Sequence, residues 1–174
     1  MDIWQVLQDR RSVRSFDPTA DVPPEAVERI LEAAIRAPSA GNRQPWHFYV
    51  VRSLGMRQGL AAAAYGQEFV AQAPVAIVVC ADAEQSAGRY GNRGRTLYCL
   101  QDTAVATEHI LLAVVALGLG SCWVGAFDEA HAARLLGLPE RHRPVAILPI
   151  GKPARESARR TPRQPLQQVV SYIE

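Results

Sequence analysis

The sequence predicts a single α+β domain over residues 1–174, a sandwich in which helices interleave with a few strands. Three observations carry this. Apolar residues recur at helical spacing in several segments. Two unbroken apolar runs, residues 75–80 and 144–150, have the length of strands covered on both faces. No repeat, low-complexity stretch or composition shift marks a boundary between domains.

In chain order, the first helix starts from Asp2 as its N-cap, sets Ile3, Val6 and Leu7 on one face, and ends near Arg10, Arg11 and Arg14. Pro23 and Pro24 suit the first turn of a second helix that carries Val27, Ile30, Leu31 and Ala34 and stops before Pro38. Residues 39–45, SAGNRQP, are turn formers ahead of a strand at 46–51. Alanines favour a helix from Ser53 to about Ala64, and the strand at 75–80 follows. The polar stretch 82–94, with three glycines, reads as a mobile loop, with Tyr90 as a lid or a plain exposed aromatic. The longest helix is expected from about Arg95 to Leu117, apolar on most sides and so buried by neighbours or by a second subunit. Gly118 and Gly120 end it. A short strand at 121–124, a helix capped by Asp128 and running to Leu136, and the strand at 144–150 complete the core. The tail from Lys152 holds Arg155, Arg159, Arg160, Arg163 and two prolines, and is expected to pack on another surface as an extended arm.

A chain of 174 residues that is 48% hydrophobic and 21% charged has the composition of a soluble globular protein, and at that length it buries roughly 70% of its unfolded surface. A formal charge of +2 gives no reason to expect nucleic acid. Cys80, Cys99 and Cys122 form neither a disulfide framework nor a zinc motif, so a reducing cytoplasm fits best. The N-terminus does not read as a signal peptide, and the longest apolar run, residues 110–119, is about half of what spans a bilayer. No membrane association is expected. A GxGxxG fingerprint and a P-loop are both missing, which removes the Rossmann and nucleotide-triphosphate readings.

Three segments carry candidate chemistry. Arg10-Arg-Ser-Val-Arg14 places three guanidinium groups and a hydroxyl where they can grip a phosphate dianion, or else form a solvated basic turn. Residues 37–46, APSAGNRQPW, combine small side chains with Ser39, Asn42 and Gln44, as a ligand-facing loop or a plain helix-to-strand turn. In LGSCWVGA, residues 119–126, Gly120 and Gly125 bracket a short strand whose backbone N–H groups can approach a ligand edge. Histidines 47, 109, 131 and 142 lie in different elements and receive no role.

Together, RRSVRSF, APSAGNRQPWHFYVV, QDTAVATEHILLAVVALGLGSCWVG and PVAILPIGKP with a basic tail resemble, over nearly the whole chain, the nitroreductase family of FMN-dependent NAD(P)H oxidoreductases. The resemblance implies a nitroreductase-like fold, a central mixed sheet flanked by helices. It also implies an intertwined homodimer whose C-terminal arm crosses to the partner, with each FMN site drawing on both chains. Carried over by motif, Arg10, Arg11 and Ser12 serve the FMN phosphate, and Arg14 the pyrimidine edge or ribityl chain. Pro38, Ser39, Ala40 and Asn42 come from the partner subunit, and Gln67 offers an amide. Val124, Gly125 and Ala126 face the flavin ring near N5, and Arg163 with Arg160 or Arg159 completes the phosphate grip. The implied reaction is ping-pong transfer from NADH or NADPH to small oxidised acceptors such as nitroaromatics, quinones or flavins. No catalytic side chain is expected and no metal, since flavin N5 carries the chemistry. Two departures bear on substrate: the chain is compact, and Gly125 stands where some relatives have a carboxylate. A flavin carrier or sensor, a flavin-cleaving relative and a cofactor-free dimeric module are the alternatives.

Overall fold

A computed structural model describes residues 1–154 and 161–173. Its elements are α1 (Ile3–Asp9), α2 (Pro24–Ala34), β1 (Trp46–Val51), α3 (Leu54–Ala63), α4 (Phe69–Gln72), β2 (Val75–Asp82), α5 (Ala83–Arg93), α6 (Cys99–Ala116), β3 (Gly120–Ser121), α7 (Glu129–Leu136) and β4 (His142–Gly151). The strands form one sheet in the order β1-β2-β4-β3, every pair antiparallel. The mixed character expected of the sheet is confined to an isolated parallel bridge between Ser12 and Ser121.

The strand β2 is buried along its whole length, as its unbroken apolar run requires. Side chains alternate across a strand. Val75, Ile77 and Val79 therefore join Ala146, Leu148 and Ile150 of β4 against α2 and α6, through Val27, Ile30, Ala34, Ile110, Leu111 and Val114. Ala76, Val78 and Cys80 face the other way, with Ile147, onto α3, α4 and α7, where they meet Leu60, Val70 and Ala132. The result is three layers, helices on both faces of a small sheet. A register shift at Val79/Cys80 accommodates Pro144, which cannot donate to the ladder.

Three elements differ from expectation. The polar stretch 82–94 is the helix α5 and not a loop: Asp82 caps it by accepting from the Gln85 N–H at 3.0 Å. Its glycines suggested a loop, yet only Gly91 leaves helical geometry, at φ 55°. Gly94 is there for space, since a Cβ would lie 2.6 Å from the Ser86 carbonyl oxygen. The long helix begins as one wide turn, Gly94–Tyr98, before α6 proper. The strand expected at 121–124 shortens to β3, with Val124 reaching β4 through two 3.0 Å hydrogen bonds with Ile147. The helical run from Ala83 to Ala116 is long and apolar enough to span a membrane by length and hydropathy, but α6 packs against α2 and the sheet, which is the behaviour of a core helix. Residues 161–173 are exposed, with one short turn at Leu166–Gln168.

The two glycines Gly55 and Gly94 should respond oppositely to alanine. Gly55, in α3 with open space around it, is expected to gain about 0.5 kcal/mol as Gly55→Ala. Gly94→Ala is expected to lose about 1–3 kcal/mol, because the new methyl meets backbone that cannot move aside. Urea midpoints of the two variants against wild type check both signs.

Candidate functional site

Segment 120–126 gathers two of the sequence-predicted groups. At its start the basic turn is held by the Ser12–Ser121 bridge, with Val13 N donating to Ser121 O at 2.8 Å. At its end Gln67 Nε2 donates to Ala126 O at 3.1 Å and to Ala64 O at 3.0 Å. Both N–H groups of Gln67 are thereby committed within the chain, so the amide braces the Val124–Ala126 turn and leaves only its oxygen for a ligand. Gly125 and Ala126 are exposed, and among the described residues their backbone N–H groups have no partner. Trp123, 39% exposed, lines a pocket of about 240 Å³ with Leu100, Ala104 and Val145.

The basic turn is electrostatically unfinished. Arg10 reaches Glu108 of α6 only at 3.9 Å. Burial raises the Glu108 carboxyl above its ordinary value, with Arg10 and His109 pulling the other way. Arg11 Nε and Ser121 Oγ are buried and have no hydrogen-bond partner. Orphaned buried donors are costly, by about 1–3 kcal/mol each, and rare enough to point to a group that belongs beside them. Ser12 and Arg14 are exposed to solvent.

The segment 38–42 lies on a different face of α6. Ala40 N donates to Asp102 Oδ1 at 3.1 Å, while Asp102 Oδ2 is buried without a partner. Burial raises this carboxyl's pKa, opposed by the Ala40 N–H. Asp102 and Glu108 are six residues apart, which on an α-helix puts them about 9 Å apart along the axis and about 120° around it. Among the described residues no hydrogen bond or ion pair joins residues 10–14 to residues 38–42. The loop itself is strained: Gly41, Asn42 and Gln44 all have left-handed φ, of 55°, 55° and 51°. It persists because Ser39 Oγ accepts from Gln44 N at 2.9 Å and because Gln85 of α5 donates to the carbonyls of Arg43 and Gln44 at 2.7 and 3.2 Å. Pro38 is exposed and Asn42 Oδ1 accepts from Gln44 Nε2 at 3.2 Å. Asp102 and Gln85 were not singled out from sequence; the signal for Asp102 is a carboxylate near the start of a largely apolar helix. In the tail, Arg163 is exposed and bonds only Thr161 O, and Arg160, with Arg159, lies outside the described residues.

A helix-sheet-helix α+β fold that aims an anion-suited arginine turn and a glycine-bearing strand end outward defines a class of ligand-binding α+β proteins. Residues 7–67 and 53–152 match the model of the Nitroreductase family. The chain belongs to the nitroreductase family. It is similar to the protein named NADH dehydrogenase of Thermus thermophilus, 33% identical over 201 aligned positions that cover 99% of this chain and 96% of the relative. That alignment is longer than this chain, so the relative carries insertions that this chain lacks. A solved nitroreductase family protein from Clostridium novyi is 32% identical with a TM-score of 0.81, over 92% of this chain and 89% of that one. The structure of Bacillus megaterium NfrA2 shares 28% identity and a TM-score of 0.89, over 99% of this chain and 76% of that one.

At the far end of the sheet, His47 stacks on His142 with ring centroids 4.4 Å apart, and Tyr49 Oη contacts His142 Nδ1 at 2.6 Å. Burial, then His47 and Arg141, lower the pKa of His142, while Asp82 raises it. Burial also raises the Tyr49 phenol, and pushes the neighbouring Cys80 thiol up to about 12, so both stay protonated. Tyr49 then donates to a neutral imidazole. A histidine depressed in the fold binds its proton more readily when unfolded, so its stability contribution is complete above about pH 6.5 and is lost as pH falls below it. Wild type should lose stability as pH falls below about 6.5, at up to about 1.4 kcal/mol per pH unit, and His142→Phe should flatten that limb. Denaturant melts across that range decide it; an equal slope in both proteins assigns the loss to other groups.

Proposed function

We propose that this oxidoreductase binds FMN and passes electrons from NADH or NADPH to small oxidised acceptors, as a homodimer with each site built from both chains. The observation that carries the reading is the pair of buried, unpartnered polar atoms, Arg11 Nε and Ser121 Oγ, that flank a basic turn with little carboxylate to neutralise it. One phosphate monoester fits such a turn. The lack of a glycine-rich pyrophosphate loop favours FMN over FAD.

FMN, when bound, supplies the hydride-accepting redox chemistry that none of the twenty side chains offers. The chain's part is to bind, orient and exclude water. Arg10 and Ser12, with Arg11 beside them, would hold the phosphate, and Arg14 would place positive charge at the pyrimidine edge. The free N–H groups of Gly125 and Ala126, next to Val124, would orient the ring, braced from behind by Gln67. Pro38, Ser39, Ala40 and Asn42 would reach the partner's flavin, their loop held in shape by Asp102 and Gln85. Arg163, with Arg160 or Arg159, would complete the phosphate grip from the arm.

Apolar surface supports the dimer. Ile3, Trp4 and Leu7 of α1 are exposed, and a groove of about 440 Å³ between α1 and α6 is lined by Val6, Ala33, Leu112 and Ala116. The outer edge of β1 is unpaired, and Leu166, Val169, Tyr172 and Ile173 of the arm are exposed. Such surfaces on one chain mark an interface. Three free, buried cysteines suit the reducing cytoplasm.

The purified protein should be yellow and should release FMN, not FAD, on denaturation. Arg10→Ala and Asn42→Ala homodimers should each bind FMN about tenfold or more weakly, the loss of one charge-assisted or well-placed hydrogen bond. Mixing the two variants should restore wild-type affinity at one of the two sites of every heterodimer, about a quarter of all sites in an equimolar, randomly paired mixture, the other heterodimer site being doubly altered. Fluorescence titration of the mixture reads this directly. A mixture with only single-variant affinities would place both residues on one chain and refute the shared site.

A further inference from the structure

The helix α5 and the loop it covers concentrate arginines that nothing in the site so far uses. Arg95 is neutralised by Glu84 through bonds of 2.8 and 2.9 Å. Arg43, Arg89 and Arg93 differ: among the described residues none of them has a carboxylate partner. They are organised instead around two tyrosines. The Arg89 guanidinium lies 5.6 Å from the Tyr90 ring and that of Arg93 lies 5.2 Å from Tyr98, whose hydroxyl accepts from Arg93 Nε at 2.8 Å. The two rings meet edge to face at 5.1 Å. Arg43 joins from the loop: its Nε donates to Gln85 O at 2.9 Å, and its Nη2 lies 3.5 Å from where a Gly88 side chain would start.

The cluster is fixed against the loop proposed to reach the flavin. A Cβ at Gly41 would fall 2.5 Å from Tyr90 Oη and 3.2 Å from Arg89 Nε, so glycine at 41 is what lets α5 close over residues 38–42. Placing like charges together without counter-charge costs stability, and Arg89 and Arg93 are exposed, so an anion can reach them. A neutral quinone or nitroarene needs no such charge. A nucleotide with several phosphates and a flat purine matches both parts, forks for phosphate oxygens and tyrosine for the base.

We propose that Arg43, Arg89 and Arg93, with Tyr90 and Tyr98, form an anion subsite for the phosphate-bearing adenosine half of the reducing nucleotide, and that this makes NADPH the preferred donor. This rests on the oxidoreductase reading above and deepens it.

Calorimetry with 2′,5′-ADP and 5′-AMP on the purified protein tests the subsite without turnover. Wild type should bind 2′,5′-ADP at least about tenfold tighter, and Arg89→Ala and Arg93→Ala should each remove about tenfold of that affinity, with Arg89→Lys recovering part. Stopped-flow flavin reduction adds a second readout, with NADPH, NADH and the phosphate-free donor 1-benzyl-1,4-dihydronicotinamide. The NADPH rate constant divided by that of the phosphate-free donor, each taken on the same variant, should fall about tenfold in Arg89→Ala and Arg93→Ala and hold in Arg134→Ala on the remote helix α7. Equal affinity for 2′,5′-ADP and 5′-AMP overturns the proposal, as does an unmoved ratio. So does a variant that loses FMN while its ratio stays constant, since its arginine then serves the flavin. Failure of every donor to reduce wild type strikes the oxidoreductase reading instead, while the calorimetry still decides the subsite.

Discussion

Everything in this fold hangs on the pairing of β2 with β4, eight residues of β2 with no side exposed to water. A strand buried on both faces must be covered by helices on both, and the period of two in its side chains decides which helix meets which residue. That pair fixes α6 through Ile110, Leu111 and Val114. With α6 fixed, Asp102 and Glu108 take positions on two different faces of one rigid rod. The candidate site is thus set by core packing before any ligand is considered.

Polar groups near that core are arranged with different degrees of completion. The His47–His142–Tyr49 group closes on itself, each ring against another and the phenol on the imidazole. The basic turn does not close. Arg11 Nε, Ser121 Oγ and Asp102 Oδ2 are out of water with nothing to bond. Each such orphan costs stability, and the left-handed residues at 41, 42 and 44 add backbone strain beside Asp102, on the other face of α6 from Arg11 and Ser121. Asp102 and Gln85 hold that strain in place from two helices, α6 and α5.

Much of the scaffold could be read from the chain because the strongest signals are those of burial. Residues 75–80 and 144–150 announced covered strands, and Asp128 announced the start of α7, whose His131 N–H it accepts at 2.8 Å. The error at residues 82–94 has a physical source. Glycines 88, 91 and 94 look alike in sequence, yet one breaks the helix by its φ while Gly94 is required for close approach to Ser86. Sequence distinguishes neither role. The site was legible as motifs but not as an assembly: RRSVR and LGSCWVGA were marked separately, and the bridge that joins them, Ser12 to Ser121, follows from tertiary register that no local pattern encodes. Asp102 was missed because an acid in QDTAVATEH reads as an ordinary solvated position until α6 is seen to be buried around it.

A site of this kind asks little of side-chain reactivity and much of charge placement. The three thiols are buried, and burial pushes those of Cys80 and Cys99 upward, which keeps these two from acting as nucleophiles at neutral pH. Among the described residues no group of histidines, cysteines and carboxylates is arranged to hold a metal. What the surface does present is arginine, in two places: the turn at 10–14 and the α5 cluster. Arginine stays charged at any pH the fold survives and fixes planar anions through paired N–H groups, whereas lysine, which occurs once in this chain, is a mobile point charge. In the α5 cluster Arg43, Arg89 and Arg93 have no carboxylate partner among the described residues, and in the basic turn Arg10 meets Glu108 only at 3.9 Å, so each cluster keeps positive charge for an anion. Selectivity between donors can therefore reside in α5 while the flavin grip resides in the basic turn, each open to change without disturbing the other.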